Sequence, residues 1–229
     1  MLLTVVIMLL VVVVVFGPQI WSSYILRRYS TPVNELPGTG GQLAEHLLDR
    51  LEMSNIVVDE CETNNDHYDP ENRKVSLGSE NFSGKSLTAI VVAAHEVGHA
   101  VQHKTGYRPF FLRWRLAKIT WYAEKVASFI LVAFPFAAVL TRQPLFSIAL
   151  LMAGITIMLL PVFVHMVTLP VEWDASFGKA LPILIQGQYI PESAIPLARK
   201  ILTAAALTYL AASLASLLNF YRWIAILRR

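Results

Sequence analysis

Four long apolar stretches constrain this chain more than any other feature. Residues 2–16 are apolar except for Thr4, and the run continues through Gly17, Pro18 and Ile20 to Leu26; residues 119–140, 145–169 and 202–226 repeat the pattern. As a helix, each is long enough to cross a hydrocarbon layer of about 30 Å. The whole chain agrees: 55% of its 229 residues are hydrophobic and only 15% charged, with a mean hydropathy of +0.52, values outside the range of ordinary soluble domains. The net charge of +3 does not point to nucleic acid, because the basic residues (Arg27, Arg28, Arg113, Arg115, Lys118, Arg199, Lys200, Arg228, Arg229) lie beside the apolar runs. There they read as topology signals and contacts to anionic headgroups. The single cysteine, Cys61, excludes an internal disulfide.

The expected organisation follows from these runs. Residues 1–28 form a first span, uncleaved because no basic segment precedes it and no small-residue cleavage site follows it. Residues 29–118 form an extramembrane domain, 119–169 a transmembrane hairpin closed by the short link 141–144, 170–201 a segment returning to the domain's side, and 202–229 a final span. Within the domain, residues 56–59 and 74–77 read as strands separated by the polar segment 60–72. Ser86 caps a helix over 87–104 that stops before Gly106. The expected fold class is mostly α: four transmembrane helices carrying a small α+β extramembrane domain.

The capped helix contains Ala94-His95-Glu96-Val97-Gly98-His99-Ala100. Residues four apart share a helix face, so the imidazoles of His95 and His99 can reach one metal ion. Glu96 falls beside that ion, where it serves as general base toward a zinc-activated water. Two imidazoles and one carboxylate suit Zn²⁺ and leave a position open for the water. Three ionisable residues set among small apolar ones (residues 89–94, Ala100, Val101) are costly to bury unless used, which argues against chance assembly. His103 continues the face without the spacing of a third histidine ligand and reads as a surface or supporting residue. The third ligand must come from the returning segment, and Glu172 in Leu169-Pro170-Val171-Glu172-Trp173-Asp174-Ala175-Ser176 is the best placed; Asp174 is the alternative, or else an acceptor that orients a ligating imidazole.

Together with Asp66-His67-Tyr68-Asp69-Pro70 and residues 75–86, these motifs resemble the YugP-type family of bacterial membrane zinc metallopeptidases, over most of the chain. The resemblance implies a zincin-like domain with a gluzincin-like site, similar to that of the HtpX and CAAX-prenyl proteases, with Glu172 at the distal glutamate. Ser176 stands where those relatives carry an aspartate. By the same resemblance, residues 73–77 are the strand edge along which an extended substrate lies; Asp66, His67, Tyr68 and Asp69 are candidates to line the cleft, and a tight polar turn explains them equally well. The implied partners are protein or peptide substrates, membrane proteins among them, and the lipid bilayer. Loop charges place the active site at the cytoplasmic face of the bacterial cell membrane. Two rivals rank lower. A site-2-type intramembrane protease lacks its aspartate segment here, and a scaffold or chaperone with structural zinc would need a fourth protein ligand, commonly cysteine.

Overall fold

Local signals set the elements around the central helix. Thr39 accepts a hydrogen bond from the Gln42 amide while the Gln42 side chain accepts from the Thr39 amide, a reciprocal cap that opens helix α2 (Gly40–Arg50). Gly40 allows that start to press against a neighbouring chain segment: a Cβ there would lie 2.3 Å from the carbonyl oxygen of Asn81. Ser86 accepts from the Ala89 amide and opens the long central helix, here α4 (Leu87–Lys104), which ends before Gly106 at φ 70.

The computed structural model describes residues 2–32, 36, 38–63, 65–141, 143–158 and 160–208. Helix α1 (Leu2–Arg28) precedes α2; strands β1 (Val57–Cys61), β2 (His67–Asp69) and β3 (Lys74–Gly78) follow it, then the short α3 (Ser79–Phe82) and α4. Helices α5 (Arg108–Thr141), α6 (Pro144–Met158) and α7 (Leu160–Trp173) come next, and α7 runs through a π-helical turn (Asp174–Ala180) into α8 (Leu181–Gln186). A further helix is described over residues 195–208.

The sheet order is β1-β3-β2, with β1 parallel and β2 antiparallel to β3. Two expectations change here. The polar segment 60–72 contains a strand, because His67, Tyr68 and Asp69 pair with Ser76, Val75 and Lys74. The strand over 73–77 is central rather than an edge, since both its sides are already paired. Its Val75 and Leu77 are fully buried, together with Leu47 and Leu48 of α2, Val91 and Val97 of α4, and Val171 and Leu184 from the second half. Each such side chain contributes about 1.5–3 kcal/mol on burial. The end of α1 is tied to this core: Thr88 donates from its amide to the Tyr29 carbonyl and from its hydroxyl to the Leu26 carbonyl.

The expectation of four transmembrane helices is corrected. Among the described residues no helix is long and apolar enough to cross a membrane. Of the stretch 145–169 the structure describes α6, of 15 residues, and α7, of 14, with residue 159 outside the described residues. Helix α5 carries Arg108, Arg113, Arg115, Lys118, Glu124 and Lys125 within its first 18 residues. Helix α1 is continuously apolar only as far as Gly17 and Pro18, and most of the stretch 202–226 lies outside the described residues. The fold is a mostly helical chain with one small mixed sheet, and the cytoplasmic placement of the site, which rested on those spans, falls with them.

Candidate metal centre

Helix α4 is buried along nearly its whole length, with only Val92, Val101, His103 and Lys104 outside its buried set. It brings His95 and His99 to one face, their rings 4.8 Å apart and nearly perpendicular. The approach depends on Gly98, where a Cβ would sit 2.7 Å from the carbonyl oxygen of Ala175 in the π-helical turn. That contact brings the end of α7 against α4. Glu172, only 1% exposed, then points Oε2 at both imidazoles, 3.0 Å from His95 Nε2 and 3.4 Å from His99 Nε2.

His95, His99 and Glu172 each offer one donor atom, and these atoms lie within 4.8 Å of one another. A tetrahedral zinc with ligands at about 2.0–2.1 Å spaces its donors roughly 3.3 Å apart, so the nitrogen–oxygen separations already match.

Hydrogen bonds behind the donors fix their chemistry. Gln102, fully buried, donates from Nε2 to the Val171 carbonyl (2.8 Å) and to Asp174 Oδ2 (2.9 Å), which turns its Oε1 toward His99 Nδ1 at 3.0 Å. His99 therefore carries a proton on Nδ1, and its Nε2 is left to face the Glu172 carboxylate, as a proton donor when protonated or as a metal donor when not. Ser176 Oγ lies 3.1 Å from His95 Nδ1 and can accept or donate there. On the far side of Glu172, Arg113 donates from Nη1 to Oε1 at 2.7 Å.

The charges follow from these contacts. Burial acts most strongly on Glu172 and would raise its pKa, but the charge of His99 and the hydrogen bonds of both histidines outweigh it and hold the carboxyl well below its ordinary range. Burial lowers the His95 pKa, and the hydrogen bond and charge of Glu172 more than reverse it, so the net shift is upward. Glu96, also buried, touches neither imidazole as a donor; burial pushes its carboxyl up despite the two histidines.

The other sequence candidates divide. Tyr68 on β2 and His67 line a cleft of about 200 Å³ that also reaches Glu96, His99, Phe110, Arg113, Trp114 and Glu172. The Tyr68 hydroxyl lies 2.8 Å from His103 Nδ1, and burial lifts its pKa to about 12. His103 stands outside the metal cluster, stacked on Phe110. Asp174 reaches Gln102 rather than an imidazole, and Ser176 is the residue that contacts His95. Asp66 also lines the cleft while accepting from the Gly78 amide and the Asn81 side chain, whereas Asp69 accepts from the amides of Glu71 and Asn72.

Sequence reasoning gave no part to Gln102 and read Arg113 as a membrane-flank charge. The only signal for Gln102 was its place three residues after His99, on the same helix face; Arg113 meets Glu172 through tertiary structure alone.

Comparison with known proteins gives a zinc metallopeptidase family. Residues 4–228 match the family described as "Putative neutral zinc metallopeptidase". Over 215 residues the chain is 33% identical to a Bacillus subtilis (strain 168) protein named "Putative membrane protease YugP", with 92% of each covered. No solved structure matches the chain.

Proposed function

The chain belongs to the neutral zinc metallopeptidase family, and on that premise we propose that it hydrolyses peptide bonds with zinc held by His95, His99 and Glu172 and with Glu96 as general base. The observation that carries this reading is the convergence of His95 Nε2, His99 Nε2 and Glu172 Oε2, which lies 3.0 and 3.4 Å from the two nitrogens. When bound there, zinc supplies a Lewis acid that brings the pKa of water toward 7.

The chain's own residues do the rest. Glu96, one residue beyond His95 and held in the same cleft, receives the proton of the attacking water and passes it to the leaving amine nitrogen. Its raised pKa suits a group that must both accept and return a proton. Gln102 and Ser176 keep the imidazoles turned to the donor cluster. The substrate chain enters between β2, through His67, Tyr68 and Pro70, and the first turns of α5, through Phe110, Trp114 and Ala117. Among the described residues no fourth histidine, cysteine or carboxylate joins the cluster, which favours a catalytic site over a closed structural one.

The protein also associates with membranes. The support is the relative's name together with large apolar side chains left in the open on α1, α5 and α6, among them Ile20, Phe129, Phe136 and Leu145.

The test is elemental analysis of the purified protein and its Glu96→Gln variant, with casein as substrate. About one zinc per chain in both and cleavage by the wild type alone is the expected result; a Glu96→Gln variant that cleaves as fast as the wild type contradicts the assignment of the base.

A further inference from the structure

Glu172 has two oxygens, and the structure uses them differently. Oε2 lies 3.0 and 3.4 Å from the two imidazole nitrogens, while Oε1 accepts from Arg113 Nη1 at 2.7 Å. The second contact is short and charge-assisted, the strong kind of hydrogen bond. Its acceptor is 1% exposed, so water does not compete for that oxygen.

From this geometry we propose that Arg113 is a positioning residue: by occupying Oε1 it restricts Glu172 to one oxygen toward the metal and so preserves the open position that hydrolysis needs. The inference rests on the reading above that His95, His99 and Glu172 form the metal site. Carboxylates bind metal ions through one oxygen or through both. A buried glutamate with Oε1 released would turn it toward the nearest positive charge, the ion itself, and fill the place of the water. Arg113 is well situated to prevent this. It lies on the second turn of α5, lines the same cleft as Glu96 and His99, and reaches the Glu172 oxygen that does not face the imidazoles. Arginine suits the task better than lysine because its guanidinium keeps its charge and offers N–H groups in a fixed plane.

A plain structural role, stapling α5 to α7, makes a different forecast, and cobalt(II) separates the two. Cobalt(II) takes the place of zinc at nitrogen and oxygen sites, and its visible absorption is strong in four-coordinate sites and weak at higher coordination. The wild type, Arg113→Met and Arg113→Lys are loaded with cobalt, and kcat and KM are measured on their zinc forms. The expected result for Arg113→Met is a full complement of cobalt with most of the visible absorption lost, and a kcat about 10–100-fold lower at little changed KM. Arg113→Lys, which can still donate to Oε1, retains most of both. If Arg113→Met fails to fold, Arg113→Leu carries the same comparison. Absorption equal to the wild type's in a folded, cobalt-loaded variant overturns the proposal. A folded variant that takes up no cobalt overturns it too, since Arg113 would then hold the site together rather than set one oxygen. A wild type that binds neither cobalt nor zinc instead defeats the metal-site reading, and this inference with it.

Discussion

Helices α4 and α5 both mix many apolar residues with a few charged ones, yet they use them in opposite ways. Helix α4 buries nearly every side chain, and most of its buried polar members are paired: His95 with Ser176 and Glu172, His99 and Gln102 with each other, Gln102 again with Asp174, while Glu96 faces the cleft. Helix α5 turns Trp121, Tyr122, Phe129 and Phe136 outward, all more than half exposed. Of the charges near its start, one reaches a buried partner and another pairs at the surface. Arg113 reaches Glu172, and Lys118 pairs with Glu71 in the turn after β2 while lying 4.7 Å over the Trp114 ring. The contrast shows that apolar content alone does not say where a helix sits. What separates the two is whether polar groups find partners, because a buried unpaired group costs about 1–3 kcal/mol whereas an exposed apolar one costs little until something covers it.

Substitutions can break that contrast. The largest effect is expected for Glu172→Ala, which removes a metal donor and leaves Arg113 facing an apolar gap. Zinc content measured by elemental analysis falls to background, and chemical denaturation shows a loss of about 2–4 kcal/mol. That is below the full cost of breaking a buried pair because Arg113 keeps some contact with water. Zinc retained at the wild-type level would show that Glu172 is not a ligand.

Gln102→Leu keeps the bulk but removes the acceptor of the His99 proton. Zinc affinity, followed by chelator competition, should weaken about 10–100-fold, and an unchanged affinity would mean that the Gln102 bridge does not orient His99. Gly98→Ala places a methyl against the Ala175 carbonyl; a stability loss of about 1–3 kcal/mol is expected, with a fall in kcat as the Ser176 contact to His95 shifts. The smallest change belongs to the other helix: Phe136→Ser should alter stability by less than about 0.5 kcal/mol while reducing the fraction of protein that sediments with membranes. A large stability loss there would erase the distinction between the two helices.

The sequence carried the central helix well, because its cap, its stop and the four-residue spacing of His95 and His99 are local signals. Glu172 was reachable from chain order together with the need for a third donor. Strand β2 was not, since His67-Tyr68-Asp69 has no apolar alternation and becomes a strand only by pairing with β3. The π-helical turn was equally hidden: it sets Ala175 against Gly98 and brings Ser176 to His95, a result of packing between distant segments. The four expected spans failed for a plain reason. Apolar length was counted along the sequence, whereas among the described residues no helix combines that length with that hydropathy, and Arg113 at the start of α5 turns to Glu172.

The most direct test of the metal centre is X-ray absorption at the zinc edge of the purified protein. The account expects two imidazole nitrogens at about 2.0–2.1 Å, oxygen at a similar distance and no sulfur. A sulfur shell near about 2.3 Å, which only Cys61 or a methionine could supply, or a zinc with no imidazole ligands, would contradict the site built from His95, His99 and Glu172.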